Sequence, residues 1–397
     1  MRLTHKPEID AVKKIFFIPI AVLILFFIMA IRFVRIVQVY PVDMQFGHLL
    51  PMVHANEVRN RSWNKVHFRK RHTIYCFFGI VANDYLLGKL SENVLTLRGN
   101  LAWTVNRLSS FFPSTQIYFA DDSLTQNYEH PDPLITFSLT EQHMGKKFLG
   151  ENCKKFVCLN VRDSGYNSLL NTKYNFPAKE WKFRNSDIET YRDAVRKLDE
   201  INYCVYRMGK IVVKPLKVVS PRVFDYATDG TRSEFLDFYL GSTCDFVIST
   251  GSGWDEIPKI FRKPVMLVNM FDFLGHSVLS RSCVMYPKIF VSKETEEMLP
   301  VSRVIELFST LNRRSLDSGL INFEIRDLSS EELVEAVTEM AQRVEGTFVE
   351  TPEQKEMQAK LKHILSNHPK LQPSPNYYPI RAEFASCFLS RYPNFLD

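Results

Sequence analysis

The residues best suited to chemistry form a glycine turn between a predicted strand at 245–250 and a predicted helix at 254–261. Glycines let a ligand approach the backbone closely, and the hydroxyls of the turn add donors. A helix N-terminus carries unpaired N–H groups and a positive partial charge, so such a turn suits a phosphate. The turn residues expected to contact it are Ser249, Thr250, Gly251, Ser252 and Gly253. A bare Gly-x-Gly is also typical of an ordinary strand-to-helix turn.

Charged residues are predicted at the ends of three further strands. Arg162 follows the β-rich run 155–161, which is predicted to be a central strand. Arg207 lies near the end of a predicted strand at 203–208, and Asp225 lies in a short one at 223–226. Ligands of open α/β sheets bind outside the carboxyl ends of the strands. We therefore expect Arg162 and Arg207 to bind a diphosphate and Asp225 to bind ribose or sugar hydroxyls. An ion pair for Arg162 and a strand-end cap for Asp225 are the structural alternatives.

A glycine–histidine pair, Gly47-His48, is predicted in the first turn between a strand at 36–41 and the next helix. The ordinary pKa of an imidazole suits it to remove a proton from an acceptor hydroxyl. Asp43 is placed to orient the ring, as in other carboxylate–histidine pairs. The alternative is a turn histidine with a structural role.

Strand–helix–strand alternation positions these residues. It runs over 155–208 and again over 232–269, which predicts a doubly wound sheet. Ser186 and Glu189 have the spacing of a capping box that opens a helix to residue 198. Upstream, core strands are predicted at 73–81 and 116–120, an amphipathic stretch at 86–97 and a helix at 101–112. The polar and basic segment 55–72 suits either a solvated helix face or a surface that grips an acidic acceptor or lipid head group.

The composition is that of a globular protein. The 397 residues are 45% apolar and 24% charged, with a net charge of +6. Lysine and arginine are scattered, which argues against nucleic acid as a partner. The seven cysteines do not have the spacing of a zinc site. Cys204 and Cys244 are expected to be small buried hydrophobic residues, and one or two disulfides among the seven are the alternative. The single N-glycosylation sequon begins at Asn60.

An apolar segment near the N-terminus predicts a membrane anchor. Residues 15–34 contain 17 consecutive uncharged residues, preceded by more basic residues than follow them. This bias predicts a cytosolic N-terminus and a lumenal body, with the Golgi or endoplasmic reticulum favoured, while a cleaved signal peptide is the alternative. The predicted division is a cytosolic tail (1–14), a transmembrane signal-anchor (15–34), an N-terminal acceptor-side lobe (35–150), a C-terminal donor-side lobe (151–330), and C-terminal helices with a strap (331–397).

Several sequence blocks together resemble a little-studied group of glycosyltransferases, whose bacterial members are associated with surface-polysaccharide gene sets. The blocks are VRDSGY (161–166), FRNSDIETYRDAV (183–195), YRMGK (206–210), FGHLLPMVHANE (46–57) and the long block FDYATDGTRSEFLDFYLGSTCDFVISTGSGWDEIPKIFRKPV (224–265). The layout is more remotely similar to fucosyltransferases with two Rossmann-like lobes. Asn160 stands where their motif has histidine, which argues against a fucose donor.

The resemblance implies an α/β enzyme of the GT-B type, with two Rossmann-like lobes behind one N-terminal transmembrane helix. It implies transfer of a sugar from a nucleotide-diphosphate donor to a hydroxyl of a glycan, protein or lipid. The resemblance implies that the donor contacts Arg162, Arg207, Asp225 and the turn 249–253. It also implies that His48, with Asp43, deprotonates the acceptor hydroxyl. A persuasive Asp-x-Asp motif is missing, which favours a metal-independent reaction with no bound cofactor. The alternative is a membrane-anchored protein of the same fold that binds a nucleotide sugar or glycan without turnover.

Overall fold

The computed structural model describes residues 11–31, 35–42, 46–77, 83–111, 133–174, 182–271, 273–274, 280–310, 322–371 and 380–397. The chain forms two compact units, Met1–His143 and Met144–Asp397. Each contains a parallel sheet with helices packed on it, so the predicted α/β class is confirmed. The predicted GT-B arrangement of two Rossmann-like lobes stays a prediction.

The first unit has three parallel strands in the order β1-β2-β3. Its elements are α1 (Ala11–Ala30), β1 (Arg35–Val42), α2 (Phe46–Val66), β2 (Lys70–Phe77), α3 (Asp84–Asn93), β3 (Leu95–Arg98) and α4 (Gly99–Ser109). One stripe of α1, which includes Ala21 and Leu25, is buried with Ala102 and Val105 of α4. Among the residues that the structure describes, no helix has both the length and the apolar character to cross a membrane.

Two sequence predictions in this unit need correction. The stretch 86–97 is not one amphipathic element, because α3 ends before Val94, whose backbone is extended, and β3 then pairs with β2. The segment 55–72 is not a solvated helix face throughout. Asn56 and Asn60 on α2 are buried, and both donate hydrogen bonds to the Thr73 hydroxyl of β2. The Asn60 amide is therefore inaccessible to glycosylation in the folded chain. The predicted strand at 116–120 lies outside the described residues.

The second unit is built on seven parallel strands in the order β12-β9-β8-β7-β4-β5-β6. The strands are β4 (Phe156–Asn160), β5 (Cys204–Arg207), β6 (Val223–Phe224), β7 (Phe246–Ser249), β8 (Val265–Met270), β9 (Cys283–Pro287) and β12 (Glu383–Phe384). A separate antiparallel pair joins β10 (Ile289–Ser292) to β11 (Phe323–Arg326). Residues of β4, β5, β7, β8 and β9 are buried throughout, which explains why most residues of these strands are apolar.

The strand order of this sheet reverses between β4 and β7. The chain winds outward from β4 to β5 and β6, then returns to the other side of β4 and continues through β7, β8 and β9. The order β6-β5-β4-β7-β8-β9 is that of a doubly wound dinucleotide-binding sheet, as predicted from the alternation. Such sheets leave a crevice at the carboxyl ends of the two strands where the order reverses. A ligand is therefore expected beside the ends of β4 and β7.

Helices cover the sheet. They are α5 (Leu139–Leu149), α6 (Gly165–Tyr174), α7 (Arg192–Glu200), α8 (Glu234–Thr243), α9 (Glu256–Ile260), α10 (Val301–Thr310), α11 (Ser330–Glu345), α12 (Pro352–Asn367) and α13 (Ser386–Arg391). Short 3-10 turns occupy Lys182–Arg184, Ile188–Tyr191, Gly253–Asp255, Pro369–Leu371 and Pro393–Leu396. The predicted Ser186 cap is wrong, because Asp187 accepts the Glu189 N–H and a 3-10 turn comes before α7.

A buried carboxylate links α11 to the C-terminal segment. Glu332 accepts hydrogen bonds from Arg326, from Tyr392 and from the backbone N–H of Ser329. Burial by itself would raise the pKa of Glu332, but these bonds lower it to about 2. The charge therefore stabilises this part of the fold at neutral pH.

The cysteines also differ from expectation. Cys204 at the start of β5 is not a free hydrophobe but forms a disulfide with Cys153, with their Cα atoms 5.6 Å apart. Cys244 is free and buried, as predicted.

Candidate functional site

The glycine turn after β7 has a backbone that requires glycine. Gly251 has a φ of +81°, in the left-handed region that other residues rarely adopt. A Cβ built there would lie 2.6 Å from the Met270 sulfur at the end of β8. The turn therefore passes directly over the neighbouring strand, at the crevice where the strand order reverses.

A buried carboxylate at Asp255 holds the turn together. Its Oδ2 accepts the Ser252 N–H at 2.7 Å, while Oδ1 accepts the Ser249 hydroxyl at 2.7 Å and the Asn160 amide at 3.2 Å. Burial raises the pKa of Asp255, although the nearby Lys259 and the hydrogen bonds act against that rise. The side chain joins the ends of β4 and β7 and has a structural role.

These bonds change the predicted phosphate site. Ser252 and Asp255 form a capping box, and the N–H groups of Gly251 and Trp254 bond the hydroxyls of Ser249 and Ser252. The N-terminus that follows is a single 3-10 turn before the five-residue α9. Most of the amides expected to bind an anion are therefore bonded within the turn. The Ser-x-x-Asp spacing was the sequence signal for this cap.

Arg162 lies beside the turn, as its position after β4 predicted. Its backbone N–H donates to the Thr250 hydroxyl at 2.8 Å, and the Thr250 N–H donates to the Asn160 carbonyl at 3.2 Å. The structure therefore brings Arg162 together with the predicted turn residues at the carboxyl edge.

The structure places Arg207 and Asp225 next to each other. Arg207 is 0% exposed, and its guanidinium lies 3.4 Å from Asp225 Oδ1 and 3.9 Å from Asp163 Oδ2. Asp225 also accepts the backbone N–H of Leu216 and the Thr228 hydroxyl. This partly buried ionic network connects the loops after β4, β5 and β6. It gives Asp225 a strand-end role and leaves Arg207 without an exposed surface for a ligand.

Arg184 also contacts the glycine turn, although no sequence pattern predicts it. Its guanidinium donates to the Gly251 carbonyl at 2.9 Å, across 67 residues of sequence. The FRNSD block contains this arginine, but nothing in that pattern signals a contact with the glycine turn.

Two further side chains to place are Trp254 and the proposed base, His48. The Trp254 indole N–H donates to the Asp237 carbonyl, and a Cβ on Gly241 of α8 would lie 2.7 Å from the ring, so Trp254 packs on α8. The backbone of His48 belongs to the first turn of α2 and not to a turn before the helix. Asp43 lies outside the described residues, so its pairing with His48 stays a prediction.

No family model and no curated protein matches the chain. Solved structures of similar fold include a family 9 glycosyl transferase from Veillonella parvula DSM 2008, with 8% identity, a TM-score of 0.42 and coverage of 76% of this chain and 96% of that one. ADP-heptose lps heptosyltransferase II of E. coli has 9% identity, a TM-score of 0.40 and coverage of 64% and 90%. E. coli heptosyltransferase WaaC with ADP-2-deoxy-2-fluoro heptose has 8% identity, a TM-score of 0.32 and coverage of 58% and 88%.

These neighbours are glycosyltransferases, whereas the more specific likeness to fucosyltransferases stays a prediction. At such identities and TM-scores, the similarity says nothing about the reaction of this chain.

Proposed function

We propose that this protein is a glycosyltransferase that moves a sugar from a nucleotide-diphosphate donor to a hydroxyl acceptor. One observation carries the proposal: Arg162 and the glycine turn meet where the strand order reverses, at the carboxyl ends of β4 and β7. Sheets of this order bind nucleotides in that crevice. The resemblance of blocks 161–166 and 224–265 to glycosyltransferases supports the same reaction.

The leaving diphosphate gains negative charge as the bond to the sugar breaks. A guanidinium placed at that charge stabilises the transition state more than the ground state, which is the usual origin of large electrostatic rate effects. Arg162 supplies this charge. Asp255 orders the turn beneath it, and the Arg207–Asp225 pair holds the adjacent loops as positioning residues. His48, oriented by Asp43, removes the acceptor proton. The reaction uses no metal ion.

The body of the protein is proposed to lie in an oxidising compartment, such as the Golgi or endoplasmic reticulum lumen, with the N-terminus cytosolic. The Cys153–Cys204 disulfide supports this location, because structural disulfides persist mainly in secretory and extracellular compartments. Attachment through residues 15–34 rests on the sequence alone.

The experiment is a turnover assay of the full chain with a panel of nucleotide sugars, scored by release of the nucleoside diphosphate. Arg162→Ala is expected to lower kcat/KM about 100-fold, as loss of one electrostatic contact to the transition state does in other enzymes. Arg196→Ala is the control, because Arg196 is exposed on α7 and, among the described residues, pairs with Asp193 alone. Donor binding without turnover in the wild type would favour the non-catalytic alternative. Equal activity of the two variants would refute the role of Arg162.

A further inference from the structure

Arg184 is a half-buried cation, and no carboxylate of a described residue pairs with it. Within the part of the chain that the structure describes, its single polar contact is the neutral Gly251 carbonyl at 2.9 Å. The basic residues around it differ: Lys214 is paired with Asp187 at 2.7 Å, Lys288 with Asp327 and Arg192 with Glu189. A partly buried charge without a counterion is costly, and an anionic ligand would compensate for it.

The segment that carries Arg184 is held firmly against the carboxyl edge of the sheet. The Ser186 N–H donates to the Arg162 carbonyl at 3.0 Å, and the Lys288 ammonium donates to the Asn185 carbonyl at 2.9 Å. Further along, the buried Asn269 amide of β8 donates to the Tyr191 hydroxyl at 3.0 Å. These contacts tie the segment 182–191 to the ends of β4, β8 and β9. Arg184 is thus positioned by the fold, and not by a mobile loop.

The geometry leaves the guanidinium ready for a second partner. Arginine has five N–H donors in one plane, and the Gly251 carbonyl takes one of them. That bond orients the plane, while the remaining donors make no hydrogen bond to a described residue. Two parallel N–H groups match two oxygens of a phosphate, which makes such a contact both strong and directional.

We propose that Arg184 binds the diphosphate of the donor in the crevice between the carboxyl ends of β4 and β7. The inference rests on the proposed function and refines it. It adds Arg184, on the segment 182–191, to Arg162 as a contact to the diphosphate. The turn amides at 251–254, in contrast, are largely bonded to the turn itself.

The test is isothermal titration of the full chain with UDP, GDP, ADP, CDP and inorganic pyrophosphate, and with the matching nucleosides. Arg184→Gln is expected to weaken the tightest-bound diphosphate about 10- to 100-fold, the range that hydrogen bonds to charged groups provide. Nucleoside binding is expected to stay the same. Arg184→Lys keeps the charge without the planar fork and is expected to give an intermediate loss. Arg192→Gln, which removes a paired arginine from the same region, is expected to bind like the wild type.

The proposal is overturned if Arg184→Gln and Arg184→Lys bind the diphosphate as tightly as the wild type, or if the wild type binds none of the five probes. Failure of the proposed reaction would look different. Arg184-dependent diphosphate binding without turnover of any nucleotide sugar would support the site and refute sugar transfer. Turnover that does not depend on Arg184 would support sugar transfer and refute this site.

Discussion

Replacing Gly251 with alanine is expected to destabilise the glycine turn in two ways. The first is conformational: an L-residue in the left-handed region costs roughly 1–2 kcal/mol. The second is steric, because the new Cβ would lie 2.6 Å from Sδ and 3.2 Å from Cε of Met270. Met270 is 4% exposed, so its side-chain end has little room to move away. Overpacking of this kind costs about 1–3 kcal/mol. We therefore expect Gly251→Ala to destabilise the second unit by roughly 2–5 kcal/mol.

Gly346 is the matched control for this substitution. It has a φ of +71° at the end of α11, but a Cβ there meets no atom within 4 Å. Gly346→Ala therefore carries the conformational cost alone, about 1–2 kcal/mol. The difference between the two variants measures the contact with Met270.

The assay is urea denaturation of the full chain, with hydrogen-exchange mass spectrometry of the β7 and β8 peptides to report the free energy of opening in this region. A double-mutant cycle with Met270→Ala is expected to show a coupling of about 1–3 kcal/mol, because shortening Met270 removes the steric part. Equal destabilisation by Gly251→Ala and Gly346→Ala, with no coupling to Met270, would refute the reasoning.

Three further predictions concern the second unit. Asp255→Asn keeps the side-chain shape but replaces one of the two accepting oxygens with an NH2 donor, so one of the buried hydrogen bonds is lost. The expected loss in urea denaturation is about 1–3 kcal/mol. The exposed Asp193→Asn is the control and is expected to change the stability negligibly. Because the pKa of Glu332 falls from 4.5 to about 2 on folding, its stabilisation is complete above pH 4.5 and is lost as the pH drops towards 2. The loss of stability amounts to about 3 kcal/mol. In denaturation curves measured over a pH series, Glu332→Gln is expected to remove this fall in stability at acid pH. The same fall in the variant as in the wild type would contradict the assignment. Thiol titration of the unreduced, denatured protein is expected to find five thiols, because two of the seven cysteines form the Cys153–Cys204 disulfide. Reduction of this disulfide is expected to lower the stability by about 4 kcal/mol. A count of seven thiols would exclude the bond.

The central elements of the second unit were predictable because their signals are local. The run 245–250 became β7 and the run 155–161 became β4, since strands that are buried on both faces of a parallel sheet have mostly apolar residues in succession. Strand β3 was missed for the opposite reason. It has four residues at a sheet edge, none of them fully buried, and it follows a helix directly, so its pattern merged with that helix.

The polar contacts of the site were predictable only in part. The Ser252–Asp255 cap is a local spacing, but the bond between Asp255 and Asn160 joins residues 95 apart in sequence. The contact from Arg184 to Gly251 spans 67 residues, and no local pattern indicates it.

The sequence by itself determined the α/β class and the placement of polar residues after the central strands, because hydrophobic periodicity and strand ends are properties of short segments. Only the tertiary structure decided which of those polar groups bond one another. It buried Arg207 with Asp225, enclosed Asp255 beneath the turn, and left Arg184 facing a neutral carbonyl. Burial and partner distance set whether a charge is satisfied internally or is available to a ligand. Both quantities depend on residues far apart in the chain.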